Sequence, residues 1–247
     1  MDLRDEFTVP GDVETSSMLE KHGNGGAMNR VPRNHWLVGI AILFTVFLAG
    51  CGGGGDGRSD GPGLVEFDNR PTVNLTDPLL EVRYARPGIP GTFTATILND
   101  PSASGDIAYD PVLNTYSPLM GQNFLLFGID YADPHGLEYR AFLDFPLDGS
   151  TGGAIIPLDA VVSYAMLRVF VNSVDFFDTV PVLLDLVDYP LTGLEAFDFS
   201  STPLAVRDLF YIYTEDRDRF VDIEVTSLMQ EAQVLGLSDF QIRFLVQ

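Results

Sequence analysis

The sequence predicts an all-β sandwich or barrel from about residue 64 onward, and three observations carry that expectation. Short apolar runs alternate with clusters of Gly, Pro, Asp and Asn, the punctuation of strands joined by tight turns. Within the runs the hydrophobic residues recur with period two, as on a strand with one buried face. Helical periodicity is confined to one short segment near the carboxy terminus.

The amino-terminal quarter has a different character. Residues 1–27, MDLRDEFTVPGDVETSSMLEKHGNGGA, are acidic and polar. A start at Met28 instead gives MNRVPRNHWLVG, a compact cationic segment, so residues 1–27 read as an extension upstream of the true start. The alternative is a cytoplasmic extension, disordered by composition. Arg30 and Arg33 precede the uncharged run WLVGIAILFTVFLAG at residues 36–50, the charge-then-hydrophobe order of a secretory signal. The run is 15 residues long, short of the roughly 20 that a membrane-spanning helix requires, and it ends in CGGGG, which does not continue a helix.

Leu48-Ala49-Gly50-Cys51 has a large apolar residue, two small residues and a cysteine in that order, and it resembles the lipobox of bacterial lipoproteins. The resemblance implies a signal peptide at residues 28–50, cleavage between Gly50 and Cys51, diacylglycerol on the Cys51 sulfur and a further acyl chain, such as palmitate, on the new amino terminus. Several chains anchor a protein stably where one binds marginally. Gly52 rather than Asp follows the cysteine, which by the same resemblance points to the outer membrane. Residues 51–63, CGGGGDGRSDGPG, read as a Gly-rich tether between the lipid and a folded domain.

After Cys51 come ten basic and 29 acidic side chains, a net charge of −19. That balance excludes nucleic acid as a partner, because phosphate binding depends on clustered Lys and Arg. Cys51 is the only cysteine, so the core has no disulfide to support it, and His135 is the one histidine beyond Cys51.

Strands are expected at Phe93–Leu98, Asn123–Ile129, Tyr139–Phe145, Ala165–Val171 and Val180–Val187, bounded by turns such as NDPSASGD, DYADPHG and DGSTGG. Residues 64–89 read as an extra strand or as more tether. Leu167, Val169 and Val171 share a face with Arg168 opposite, and Leu143 and Phe145 oppose Asp144. At the carboxy terminus Phe240, Ile242 and Phe244 should enter the core while Gln241 and Arg243 face solvent. Thr226–Leu235 has Leu228, Met229, Ala232 and Leu235 at helical spacing, Ser227 and Gln230 as a capping box, and Gly236 as a stop.

The order YRAFLDFPL, IIPLDAVVSYAMLRVFV, VPVLLDLV, DIEVTSLMQEA and FQIRFLV resembles the DNRLRE-type domain, related to disaggregatase repeats and carbohydrate-binding jelly rolls. Arg140, Leu143 and Phe145 fill one family pattern, and Ala165, Leu167 and Val169 a second. A D-V-T motif is represented by Asp222 and Val225-Thr226 with two residues inserted. A tryptophan usual in the family is replaced locally by Asp188-Tyr189-Pro190. The resemblance spans residues 90–247 and implies a jelly-roll-like antiparallel β-sandwich over residues 64–247, with one short helix, that binds carbohydrate.

No hydrolase elbow, zinc motif or phosphate-binding loop is present, so a non-catalytic role is expected. Asp133 and His135 in YADPHG belong to a turn, with a catalytic triad as the alternative. In LFYIY, Tyr211 and Tyr213 should point outward and offer two rings for sugar stacking, with packing under a loop as the alternative. Asp216 and Asp218, or Asp175 and Asp178, have a spacing that suits Ca²⁺, with a solvated charged face paired to Arg217 and Arg219 as the alternative. The leading expectation is an envelope lipoprotein that binds polysaccharide or supports surface adhesion and assembly. The others are a structural lipoprotein contacting an envelope protein and a carboxylate-dependent polysaccharide hydrolase.

Overall fold

A computed structural model describes residues 58–69, 77–151 and 155–247, apart from the side chains of residues 207 and 208. Expectations for residues 1–57, including the signal segment, the cleavage site at Leu48, Ala49 and Gly50, and Cys51, lie outside the described residues.

Among the described residues there are twelve strands: β1 (Leu64–Asp68), β2 (Leu79–Arg86), β3 (Ile89–Leu98), β4 (Gly105–Asp110), β5 (Thr115–Met120), β6 (Phe124–Asp130), β7 (Leu137–Pro146), β8 (Val161–Asp175), β9 (Thr179–Val187), β10 (Ala205–Tyr213), β11 (Arg219–Glu224) and β12 (Asp239–Val246). The one α-helix among the described residues, α1, is Thr226–Leu235. Strands pair antiparallel in the order β10-β9-β12-β7-β6-β1-β8-β2-β3, with β11 on β8 and the β4-β5 pair on β7. Phe67 of β1 and Phe244 of β12 are three places apart along this ladder, about 14 Å in a flat sheet, yet their rings lie 4.9 Å apart. The ladder therefore turns back on itself, and its two halves enclose one core as an antiparallel β-sandwich.

Period two holds wherever the ladder is regular and slips where it bulges. On β8 the buried residues are Val162, then Ala165, Leu167, Val169 and Val171, then Val174. Each three-residue step coincides with a register shift, opposite Arg83/Tyr84 of β2 and opposite Glu66/Phe67 of β1. A bulge inserts one residue and moves the side-chain phase by one.

Residues 64–89, expected to hold one extra strand or more tether, contain two strands, β1 and β2, and β1 is central, wedged between β6 and β8 with Val65 and Phe67 fully buried. Its entry depends on Gly128, at φ 117°, where an added Cβ would meet the Gly63 carbonyl oxygen at 1.8 Å. In α1, Leu228, Met229 and Ala232 are buried and Gly236 closes the helix at φ 68°. Leu235 instead is exposed. The capping box does not form: Val225 is the N-cap without a side-chain bond, and the Gln230 amide donates to the Val162 carbonyl. The Thr226 hydroxyl accepts the Ala165 N–H, so the helix start is tied to β8 rather than capped on itself.

The closing strand brings the largest correction. Phe240, Ile242 and Phe244 are fully buried as expected, but Gln241 and Arg243 are buried too, at 3% exposure each. Their face is covered by residues 188–204, which carry a 3-10 turn at Ala196–Ser200. Tyr189, Leu194 and Phe199 from this segment pack on Ile107, Phe142 and Val187 as a second, smaller core. Buried polar groups require partners, and Arg243 has many. It bonds both Nε and Nη2 to Asp185 Oδ2, at 3.1 and 2.5 Å, and also donates to the carbonyls of Asp198, Phe199 and Ser201. Gln241 accepts the Tyr189 N–H and donates to Asp144 Oδ1.

Asp144, also on this face, is fully buried, and its Oδ2 has no partner. Burial pushes its pKa up to about 7, above the unfolded value of about 4. The folded chain then holds a proton that the unfolded chain releases, so the stabilisation is complete below pH 4 and is lost as pH rises through 7. Asp144→Asn, neutral at every pH, should flatten the decline in the denaturation midpoint between pH 5 and 8. An unchanged pH profile would show that Asp144 is not the titrating group.

Candidate functional site

Among the described residues β10 pairs along one side only, with β9, placing Ile212 opposite Val180, Tyr211 opposite Pro181 and Tyr213 opposite Thr179. Ile212 is fully buried, and alternation turns the two tyrosines to the other face. Tyr211 is 43% exposed. The two rings stack with centroids 6.4 Å apart and an interplanar angle of 29°, which makes them a continuous platform. Tyr211 reaches the surface, whereas Tyr213 is half-buried.

The rest of the site comes from residues read as tether. Ser59 donates through N–H and hydroxyl to Asp178, its carbonyl accepts the N–H groups of Asp178 and Thr179, and Gly61 N–H bonds the Thr179 carbonyl. Asp60 forms a parallel bridge with Thr179. This strap lays Arg58 over the Tyr213 ring, 5.0 Å from its centroid, where it also pairs with Glu215. Arg58, Asp60, Thr179, Tyr211 and Tyr213 line an open groove of about 320 Å³. Aromatic faces with a few convergent polar groups are the usual makeup of a small-molecule site.

Asp216 serves this site indirectly. Its Oδ2 accepts the Tyr213 N–H at 2.8 Å and caps the 3-10 turn Thr214–Asp216, fixing the backbone that carries the ring. Asp218 is exposed at φ 57°, its N–H bonded to the Val171 carbonyl. Asp175 accepts the Ser173 hydroxyl and lies 3.8 Å from Arg217, and Asp178 is taken by Ser59. Among the described residues no three His, Cys, Asp or Glu side chains form a group that could hold a metal ion.

His135 lies on a surface turn that Asp133 caps through the His135 N–H. Its Nδ1 is 2.7 Å from Asp110 Oδ2, and that hydrogen bond raises the imidazole pKa. The partner is therefore Asp110 of β4, and Asp133 holds the turn. Of the other carboxylates, Asp106 and Asp144 are pushed up by burial, to about 6 and about 7. Both lie beneath the surface, at 3% and 0% exposure, away from the groove.

The residues of the family-like patterns serve the fold. Leu143, Phe145, Ala165, Leu167 and Val169 are fully buried. Arg140 stacks on Phe199 at 4.0 Å and donates to its carbonyl, and Asp222 pairs with Arg168 across β8 and β11. The site thus defines an antiparallel β-sandwich with an aromatic groove on a β10 ledge. In comparisons with known proteins, no family model, no curated protein and no solved structure matches the chain.

Proposed function

We propose that the protein is a non-catalytic cell-envelope lipoprotein, anchored by lipid on Cys51, whose β-sandwich binds carbohydrate in the Tyr211–Tyr213 groove. The observation that carries the reading is the stacked tyrosine pair, Tyr211 exposed and Tyr213 half-buried, beside Arg58, Asp60 and Thr179. Two aligned rings offer apolar faces to the C–H face of a sugar, and the polar rim offers donors and acceptors to its hydroxyls. The LAGC motif and the resemblance to DNRLRE-type domains support the anchor and the ligand class. An outer-membrane location follows from the same lipobox reading.

The sandwich draws its core from residues 65–244, so residues 52–247 suffice for a test on a glycan array. Binding to a polysaccharide fragment is expected, and Tyr211→Ala/Tyr213→Ala should weaken it about tenfold or more. An aromatic contact contributes about 0.5–1.5 kcal/mol beyond its buried area, and 1.4 kcal/mol is a factor of ten. Neither tyrosine belongs to the buried core, so the domain should stay folded, which circular dichroism checks. Sugar binding that survives the double substitution would place the site elsewhere. No binding by a folded domain would favour the structural reading, in which the groove meets an envelope protein.

A further inference from the structure

Phe176, between β8 and β9, has φ 73°, a left-handed conformation rare for a bulky side chain. Strain of this kind persists where the surroundings impose it. Here it holds the ring at 46% exposure. Tyr131, from the turn after β6, is 50% exposed and meets Phe176 edge-on at 5.5 Å and Phe177 at 5.7 Å. Phe177 lies against Gly61, where an added Cβ would come within 2.5 Å of the ring. Two exposed aromatics on a buttressed base therefore occupy the end of the sandwich where the chain arrives from Cys51.

We infer that Tyr131 and Phe176 form a docking surface for the zwitterionic phospholipid face of the membrane in which the protein is anchored; the inference rests on the Cys51 anchor of the proposed function. Chain length argues for this occupant. Arg58 follows Cys51 by seven positions, a span of at most about 25 Å, so the bilayer lies within that distance of the strap that abuts Phe177. The opposite end is out of reach: β8 has 15 residues, about 50 Å of strand, with α1 at its start and Phe176 beyond its end. Tyr131 has the apolar body and polar tip that partition to the membrane–water interface, and the Phe176 ring beside it adds apolar surface. Charge selects the headgroup. Asp130, Asp133 and Asp175 flank the two rings in the chain, and the net charge of −19 after Cys51 opposes anionic lipid.

The chain beyond Cys51 contains no tryptophan, so a single introduced tryptophan reports its own surroundings. Residues 52–247, held by an amino-terminal His tag on phosphatidylcholine vesicles containing nickel-chelating and brominated lipids, reproduce the tether without cellular lipidation. Phe176→Trp should show blue-shifted emission and at least threefold stronger bromine quenching than Val234→Trp, on α1 where Val234 is 81% exposed. Replacing a third of the lipid by phosphatidylglycerol should reduce that quenching. If Phe176→Trp fails to fold, Tyr131→Trp gives the same readout. Equal quenching at the two ends would overturn the docking surface whatever becomes of Cys51. A lack of fatty-acid label on Cys51 in cells would remove the anchor without touching the vesicle result, so the two failures are separable.

Discussion

Arg243→Ala should cost about as much stability as Phe244→Ala, roughly 3–5 kcal/mol for each, although the two side chains lie on opposite faces of one strand. For Phe244 the loss is that of a fully buried ring in contact with Phe67 and Phe127, whose centroids are 4.9 and 5.5 Å away. Phe→Ala in a core costs about 3–5 kcal/mol. For Arg243 the cause is different. Truncation leaves Asp185, 4% exposed, without its countercharge, and leaves the Asp198, Phe199 and Ser201 carbonyls without this donor. Breaking a buried ion pair by removing one member costs about 3–5 kcal/mol. Against a total stability of roughly 5–15 kcal/mol, either change should lower the chemical-denaturation midpoint sharply. Adding Asp185→Asn to Arg243→Ala should recover part of the loss, because it removes the stranded charge. A change within about 0.5 kcal/mol for Arg243→Ala, the behaviour of a surface residue, would mean that residues 188–204 do not cover this face.

That second buried layer shows how far the sequence could be read. Alternation in β12 separates Phe240, Ile242 and Phe244 from Gln241 and Arg243 correctly, but period two states only that two faces differ. It does not say whether the polar face meets water or another part of the chain. Residues 188–204 carry Pro190, Gly193 and Pro203 and read as a connection, yet they hold Tyr189, Leu194 and Phe199 down on β4, β7 and β9. A signal was available in Asp144, Asp185, Gln241 and Arg243, polar residues of both signs on three strands that prove to be neighbours. Recognising it requires the strand order, which local pattern does not provide.

Strands β5 and β11, which the sequence did not show, and β1, which it left open, have equally local reasons. β5 includes Pro118 and is mostly exposed, and β11 lies in the charged stretch between Asp216 and Glu224, so neither presents a run of apolar residues. β1 is only five residues long and follows a Gly-rich segment. The tyrosine platform was legible because alternation around the buried Ile212 fixes the direction of Tyr211 and Tyr213. Arg58 was not. It stands in a run of glycines, and only the strap of Ser59 and Gly61 on β9 reveals it as the cation over Tyr213.

The proposed anchor underlies the envelope assignment and the docking of Tyr131 and Phe176, and it predicts an all-or-none effect. Lipid attachment requires the cysteine sulfur, which serine does not supply, and cleavage before residue 51 in lipoproteins follows that attachment. Cells expressing the wild-type chain should incorporate labelled palmitate into a protein cut before Cys51. Cys51→Ser should take up no label and should accumulate as the longer precursor. Metabolic labelling of these two chains is the most direct test of the account. Label confined to the wild-type chain, with cleavage, is the result the account predicts. An unlabelled wild-type chain, or equal label in Cys51→Ser, would contradict it.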